Sequence, residues 1–142
     1  MLYCPPFMGE KTKSTLTVKR GLNGLGLFTT ASIAKGSLVI EYTGEVISSE
    51  EADRRGGQYL FALNDQWIID GKDRTNQARY INHACRPNCY AELTADESQV
   101  FIYAKRAIKA GEELTYHYGK DFWNEYIKPK GCRCQTCLKR TS

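Results

Sequence analysis

The sequence lacks any long hydrophobic run. None of its 142 residues form an apolar stretch close to the roughly 20 residues that a membrane-spanning helix needs. It also lacks internal repeats, low-complexity tracts and linkers. The N-terminus has no basic region followed by an apolar stretch, so no secretory signal is expected. With 42% hydrophobic and 25% charged residues, the composition is that of one ordinary globular domain. We therefore expect an intracellular domain with no membrane contact.

A marked excess of charge of one sign occurs only near the C-terminus. The chain carries a net charge of +4, and residues 120–142 account for all of it with six basic and two acidic side chains. A basic tail can contact nucleic acid or an acidic partner. At this modest density we interpret it first as a solvated segment, with weak nucleic-acid contact as the alternative.

The six cysteines are unevenly placed. Three of them crowd together at Cys132, Cys134 and Cys137. A disulfide scaffold needs an extracellular context, which the N-terminus does not supply. In an intracellular chain, closely spaced cysteines more often share a metal ion. With Cys85 the trio makes four thiolates, enough for a closed tetrahedral zinc site, although Cys89 or Cys4 fits on spacing alone.

Short apolar and β-branched runs, separated by turn residues, predict a mainly β domain with few helices. The predicted strands are 15–18, 38–42, 59–63, 66–69 and 100–104. Polar residues at 64–65 predict a hairpin between the third and fourth of these strands.

Helix signals are few and short. Ser48 followed by Glu51 is a capping-box pattern, which predicts a helix over 49–55 that ends at two glycines. Asn76 is predicted to cap one helical turn, and Asp121 to cap a last short helix.

Three segments carry groups suited to a ligand. The Gly-Leu-Gly at 24–26 lacks the third glycine of a dinucleotide fingerprint, and is either a turn or a backbone that a ligand approaches closely. Asn82 can donate and accept through one amide, which suits an amino-acid-like ligand, whereas a histidine such as His83 is more often structural. If the chain is extended there, Tyr116 and Tyr118 share one face, as core packing or as the wall of a cation pocket.

These segments, in this order, resemble the motifs of the SET-domain protein lysine methyltransferases. The resemblance runs from about Leu16 to Cys137. It is carried by Gly24-Leu25-Gly26, Glu41-Tyr42-Thr43-Gly44-Glu45, Asn82-His83-Ala84-Cys85, the segment from Glu113 to Tyr118, and the three C-terminal cysteines. One such motif means little, but five in order with compatible gaps make a chance resemblance very unlikely.

The resemblance implies a mainly β SET fold of several small sheets and short helices, with a pseudoknot formed by the C-terminal part of the chain near Asn82 and His83. It implies an N-terminal extension over 1–14, a SET domain over 15–119 and a zinc-binding post-SET segment over 120–142. Since no cysteine-rich pre-SET region precedes Leu16, a compact, stand-alone protein is expected.

The same resemblance implies S-adenosylmethionine on one face and a substrate peptide on the other, with a lysine channel between them. The implied cofactor residues are Gly24, Leu25, Gly26, Arg79, Asn82, His83 and Trp123, with Phe122 as an alternative contact to the adenine. The implied catalytic phenol is Tyr118, and the channel walls are Tyr42, Tyr59 and Tyr116. The implied zinc ligands are Cys85, Cys132, Cys134 and Cys137.

The expected activity is methylation of a protein lysine, most often on a histone H3 or H4 tail, in the nucleus if the source is eukaryotic. Tyr116 resembles a product-size switch, and a tyrosine there favours monomethylation. Two other classes are compatible with the sequence: a SET domain that binds a peptide without methylating it, and a zinc-stabilised nucleic-acid adaptor that uses the basic tail.

Overall fold

The computed structural model describes residues 15–21 and 24–118, and this part of the chain is mainly β as predicted. The strands are β1 (Leu16–Gly21), β2 (Gly24–Thr29), β3 (Leu38–Tyr42), β4 (Glu45–Ser48), β5 (Leu60–Ala62), β6 (Trp67–Asp70), β7 (Asn82–His83), β8 (Cys89–Leu93), β9 (Val100–Ala104) and β10 (Thr115–Tyr116). Helix α1 covers Ser49–Arg55, and a 3₁₀ helix covers Gln77–Tyr80. No helix within these residues is long and apolar enough to cross a membrane.

The strands form four small sheets, which confirms the predicted arrangement of several small sheets. Strands β1 and β2 make an antiparallel hairpin, and the three-stranded sheets have the orders β3-β9-β8 and β4-β6-β5. The predicted hairpin between β5 and β6 is confirmed. Its turn is held by Asn64, whose Oδ1 accepts hydrogen bonds from the backbone N–H groups of Gln66 and Trp67 at 2.8 and 2.9 Å.

Helix α1 begins and ends where the sequence predicts. Ser48 Oγ accepts a hydrogen bond from the Glu51 N–H at 3.1 Å, and Gly56 ends the helix with a φ of 63°. In a full capping box the Glu51 carboxylate would also accept a hydrogen bond from the Ser48 N–H, and this part of the prediction is wrong. The Glu51 carboxylate instead pairs with Arg55, at 2.7 Å from its Nε, and with Arg54. Two basic neighbours in the last turn outcompete the backbone N–H for this acceptor.

Arg55 also connects α1 to the sheet beneath it. Its Nη1 lies 2.9 Å from Asp70 Oδ2 in β6 and 3.0 Å from Glu45 Oε1 in β4. Asp70 is 7% exposed, so this carboxylate is paired in a poorly solvated place. The ion pairs hold α1 against β4 and β6.

The core shows the two-residue period of a half-buried sheet. Along β9, Val100, Ile102 and Ala104 are fully buried, whereas the residues between them are partly exposed. Leu27 in β2 and Leu114 belong to the same buried cluster. The Leu114 N–H donates to the Leu27 carbonyl at 2.8 Å, so the segment before β10 is fastened to β2.

Asn76 occupies the predicted cap position of the 3₁₀ helix, but the prediction that it caps this helix is wrong. Its side chain makes no capping hydrogen bond. Oδ1 accepts from the Thr43 N–H and Nδ2 donates to the Gly71 carbonyl, both at 3.0 Å. At 1% exposure, Asn76 satisfies two backbone groups that would otherwise lack partners, and it joins the loops that follow β3 and β6. Tertiary contact, not local sequence, decides its role.

The parallel pairing of β7 with β10 brings two distant motifs side by side. Asn82 lies opposite Thr115, and His83 opposite Tyr116. Asn88 reinforces this pairing, because its side chain donates to the Glu113 carbonyl and accepts from the Thr115 N–H, both at 2.9 Å. The segment that would complete the predicted pseudoknot lies outside the described residues.

Replacing Asn76 by alanine is expected to lower the free energy of unfolding by about 2–4 kcal/mol. The variant loses two hydrogen bonds, and it leaves the Gly71 carbonyl without a partner in a buried place and the Thr43 N–H without one in a partly buried place. Urea unfolding measures this change. The matched control is Gln99→Ala, which removes an exposed amide and should cost no more than about 0.5 kcal/mol. Equal losses in the two variants would contradict the role assigned to Asn76.

Candidate active site

A cavity of about 300 Å³ brings together four tyrosines from three separate segments of the sequence. Its lining consists of Tyr42, Gln58, Tyr59, Leu60, Phe61, Ala62, Ala78, Arg79, Ile81, Tyr116 and Tyr118. The cavity is thus walled by β3, β5, the 3₁₀ helix and the chain around β10. All four tyrosines singled out in the sequence line this one space.

The aromatic rings of the cavity pack against each other. The Tyr116 and Tyr118 rings meet edge to face with their centroids 5.1 Å apart. Phe61 packs against Tyr42 at 5.3 Å and stacks on Tyr116 at 6.4 Å. The sequence analysis missed Phe61 as a site residue. Its spacing of two from Tyr59 is the signal, because alternate residues of an extended segment share a face.

The phenol groups at the cavity are anchored to backbone carbonyls. Tyr118 Oη donates to the Ile81 carbonyl at 2.6 Å, and Tyr42 Oη donates to the Tyr59 carbonyl at 2.8 Å. The Tyr118 hydroxyl therefore has a defined position next to a second oxygen. Nothing in the sequence marked Ile81 as a functional residue, since its contribution is a main-chain atom.

Burial governs the electrostatics of the cavity. It raises the pKa of Tyr42, Tyr116 and Tyr118 above the usual range, and neighbouring ionisable groups add to the effect: Asp70 for Tyr42, Tyr118 for Tyr116, and Tyr42 for Tyr118. The three phenols are therefore neutral hydrogen-bond donors at physiological pH. The same poorly solvated environment disfavours the charged form of an amine that enters it.

His83 acts on Tyr118 through the backbone. Its Nδ1 accepts a hydrogen bond from the Tyr118 N–H at 3.1 Å, which places the ring proton of the neutral form on Nε2. The Cys85 Sγ lies 3.8 Å from that Nε2. Burial, with a smaller contribution from His117, lowers the pKa of His83 to about 4. His83 is thus a neutral histidine that positions Tyr118, and its contact with a cofactor stays a prediction.

Arg79 lies at the wall of the tyrosine cavity. Its guanidinium carbon lies 4.1 Å from the Tyr59 ring centroid and 5.1 Å from that of Tyr80, and one Nη donates to the Lys72 carbonyl. Its Nε is buried and, among the residues that the structure describes, has no hydrogen-bond partner. Arg79 therefore carries a donor near the cavity that the rest of the domain leaves unsatisfied.

The Gly-Leu-Gly segment at 24–26 lies at the start of β2, next to Asn82. Asn82 Nδ2 donates to the Leu25 carbonyl at 2.9 Å and to Glu113 Oε2 at 2.8 Å. The segment is extended and not a turn, although Gly24 has a φ of 89°, which favours glycine. Gly26 has a different reason to be glycine, because a Cβ there would lie 2.9 Å from the Glu113 Cδ. Glu113 was quoted within a motif but not recognised as a site residue.

The metal prediction rests mainly on residues that are not described. Cys4, Cys132, Cys134, Cys137, Phe122 and Trp123 lie outside the described residues. Within residues 15–21 and 24–118, no group of three or more metal-ligating side chains is close enough to hold an ion. Cys85 is partly exposed, whereas Cys89 is 1% exposed and burial raises its pKa to about 11. Because the Cys89 side chain belongs to the buried core cluster, it is disfavoured as the alternative to Cys85.

Comparison with protein families matches residues 24–119 to the SET domain, which is well over half of the chain. Among curated proteins, the chain is 40% identical over 121 residues to the histone-lysine N-methyltransferase MEDEA of Arabidopsis thaliana. It is 40% identical over 128 residues to the histone-lysine N-methyltransferase trithorax of Drosophila melanogaster. It is 44% identical over 124 residues to the histone-lysine N-methyltransferase set1 of Dictyostelium discoideum.

These matches cover 79%, 83% and 79% of this chain, in the same order. They cover only 18%, 3% and 8% of the three relatives. The chain thus spans less than a fifth of the length of these proteins.

The neutral His83 predicts a pH dependence of stability. Its pKa is about 4 in the folded state, against 6.5 for an ordinary histidine. Between these values the unfolded chain binds a proton that the folded chain does not, so stability falls as the pH falls through this window. From about pH 7 to about pH 5, the loss should be less than about 1.4 kcal/mol per pH unit. Urea unfolding across this range measures the slope.

His83→Gln should flatten the slope over the same pH range, because the titrating group is gone. The control is His117→Gln, which removes an exposed histidine and leaves the buried one in place. A slope in His83→Gln as steep as in the unmodified protein would assign the pH dependence to other groups.

Proposed function

Because the chain belongs to the SET-domain family, we propose that it transfers a methyl group from S-adenosylmethionine to the side-chain amine of a protein lysine. The observation that carries this proposal is the tyrosine cavity, with the Tyr118 hydroxyl 2.6 Å from the Ile81 carbonyl. The three relatives are histone-lysine N-methyltransferases, which supports the reaction and the class of substrate.

The cavity suits the first requirement of the reaction, which is a neutral amine. A lysine ammonium has an ordinary pKa of about 10.4 and cannot attack a methyl group until it loses a proton. The buried aromatic walls made by Tyr42, Phe61 and Tyr116 disfavour the charged form and lower the pKa of an inserted lysine. The raised pKa of the surrounding phenols keeps them uncharged, so they do not hold the lysine as an ion pair.

The second requirement is alignment. When bound, S-adenosylmethionine supplies an electrophilic methyl group on a sulfonium, and the charge disperses as the group is transferred. Much of the rate then comes from holding the reacting atoms in line. Tyr118 Oη and the Ile81 carbonyl are two positioned oxygens at this cavity. His83 fixes the main chain of Tyr118, which limits the movement of its hydroxyl.

The residues next to the tyrosine cavity fit the amino-acid end of S-adenosylmethionine. Among the described residues, Asn82 Oδ1 accepts no hydrogen bond, because the amide nitrogen makes both contacts, to the Leu25 carbonyl and to Glu113. A Cβ at Gly24 would meet no described atom within 4 Å, so the backbone there is open to a ligand. We assign the cofactor to Gly24, Leu25, Gly26, Arg79, Asn82 and His83, with Trp123 as the proposed adenine contact.

The substrate peptide is proposed to bind along β5. Within the described sheets β5 is an edge strand, so a peptide can add to it by main-chain hydrogen bonds. The proposed groove lies between the segment 48–58, which contains helix α1, and the C-terminal segment. We propose a histone H3 or H4 tail as the peptide, which places the protein in the nucleus if the source is eukaryotic. The basic residues of 120–142 are proposed to make at most weak contacts with nucleic acid.

We propose one zinc ion, held by Cys85, Cys132, Cys134 and Cys137. Support comes from the spacing of the three C-terminal cysteines and from the partial exposure of the Cys85 thiol. Cys85 lies two residues after His83, the residue that positions Tyr118. Four thiolates around Zn²⁺ form a closed structural site that contributes folding energy. The division into 1–14, 15–119 and 120–142 is proposed on the same grounds.

Tyr118→Phe should keep the fold and lower the rate of methyl transfer about 10²–10³-fold, because it removes one positioned polar group from the reaction centre. The assay incubates the protein with labelled S-adenosylmethionine and a set of histones and lysine peptides, and locates the label by mass spectrometry. Tyr90→Phe is the matched control, since this phenol is 40% exposed on β8, and it should retain the unmodified rate.

Label on lysine with the unmodified protein supports the enzyme. Cofactor binding with no turnover on any peptide would favour a binding module, and no cofactor binding would favour the nucleic-acid adaptor. Near-normal turnover in Tyr118→Phe would remove Tyr118 from the reaction centre.

Tyr116 is proposed to favour monomethylation. Its hydroxyl can hold an incoming amine directly or through an ordered water, and that water occupies the space that earlier methyl groups need. Tyr116→Phe should therefore shift products towards di- and trimethyl-lysine with little loss of the first transfer. Mass spectrometry on a single peptide substrate gives the product ratio. Abundant trimethyl-lysine from the unmodified protein would contradict this role of Tyr116, but it would not contradict the methyltransferase proposal.

A further inference from the structure

The Glu113 carboxylate occupies a site that the β1–β2 hairpin leaves open for it. The residue forms an isolated antiparallel bridge with Phe28. Its Oε2 lies 2.8 Å from Asn82 Nδ2. Side chains at either of two glycines would crowd it: a Cβ on Gly26 would lie 2.9 Å from its Cδ, and one on Gly21 would lie 3.3 Å from its Oε1. A side chain at Gly26 would displace the carboxylate, and one at Gly21 would press on both the carboxylate and the Phe28 ring, so both glycines leave room for Glu113.

The two partners of the Asn82 amide decide which way it faces. A backbone carbonyl and a carboxylate can only accept, so the nitrogen of the amide must face both Leu25 and Glu113. Each of its two N–H groups then has one acceptor. The amide oxygen is left as the group of Asn82 that a ligand can use. Without the carboxylate, only the Leu25 carbonyl would oppose a half-turn of the amide, which would offer its nitrogen to the ligand instead.

We propose that Glu113 is a positioning residue for the cofactor: it holds the Asn82 amide so that Oδ1 accepts a hydrogen bond from the α-ammonium of S-adenosylmethionine. This inference rests on the proposed function, since it concerns the same cofactor. It assigns to Glu113 a role exerted through Asn82, with no contact to the reacting atoms. A hydrogen bond to a charged group is stronger than one between neutral groups, so the orientation of one amide has a large effect on affinity.

The experiment compares two ligands that differ only in the ammonium group. These are S-adenosylhomocysteine and its deaminated analogue 5′-S-(3-carboxypropyl)-5′-thioadenosine, titrated into the protein by calorimetry. The variants are Glu113→Met, which keeps much of the volume but cannot hold the amide, and Glu113→Gln, whose carbonyl can still accept from Asn82. Glu112→Gln is the matched control, because its carboxylate pairs with Arg106 at 2.8 Å on the surface of the same turn.

The unmodified protein should prefer S-adenosylhomocysteine to the analogue by roughly tenfold or more. Glu113→Met should lose most of this preference while keeping its affinity for the deaminated analogue, which also shows that the site is folded. Glu113→Gln should restore most of the preference, and Glu112→Gln should not change it. Adding Glu113→Met to Asn82→Ala should change the preference by less than about twofold, because the two residues act as one unit.

An unchanged preference in Glu113→Met overturns the inference, as does an equal loss of affinity for both ligands, which indicates general damage to the site. The absence of any preference in the unmodified protein overturns it as well. Failure of the unmodified protein to bind either ligand is a different result, which contradicts the proposed function itself.

Discussion

The parallel pairing of β7 with β10 is the constraint on which the site depends. It sets Asn82 beside Thr115 and His83 beside Tyr116, although these residues are more than thirty positions apart. Two strands of two residues each cannot be stable alone, so side chains and main-chain contacts on both sides must support them. The Asn88 side chain bonds to the main chain on either side of Leu114, and the Leu114 N–H bonds to the Leu27 carbonyl in β2.

Two polar groups of the site, His83 and Tyr118, find their hydrogen-bond partners within a poorly solvated space. His83 remains neutral there, which leaves its Nδ1 able to accept the Tyr118 N–H. The Tyr118 phenol remains protonated, which lets it donate to the Ile81 carbonyl. Burial raises the pKa of Tyr118 and lowers that of His83. Each group thus has the protonation state that its hydrogen bond requires. Positioning and electrostatics have the same physical cause.

Much of the fold was predictable because its signals are local. Strand β3, helix α1 and the β5–β6 hairpin follow from β-branched runs, a serine cap with a terminal glycine, and a polar turn. The errors occurred where a side chain found a partner far away in the sequence. The Glu51 carboxylate prefers Arg54 and Arg55 to the backbone, and Asn76 joins two loops across the fold. Both outcomes depend on tertiary neighbours that no local pattern reveals.

Residue types and their order were enough to predict the mainly β class, the family and the four tyrosines that line the cavity. What several of the predicted residues do depends on their neighbours in the folded chain. His83 supports Tyr118, Arg79 lines the tyrosine cavity, and Gly26 makes room for Glu113. Such roles are relations between atoms brought together by β7 and β10, and a main-chain oxygen such as that of Ile81 has no signature in the sequence at all.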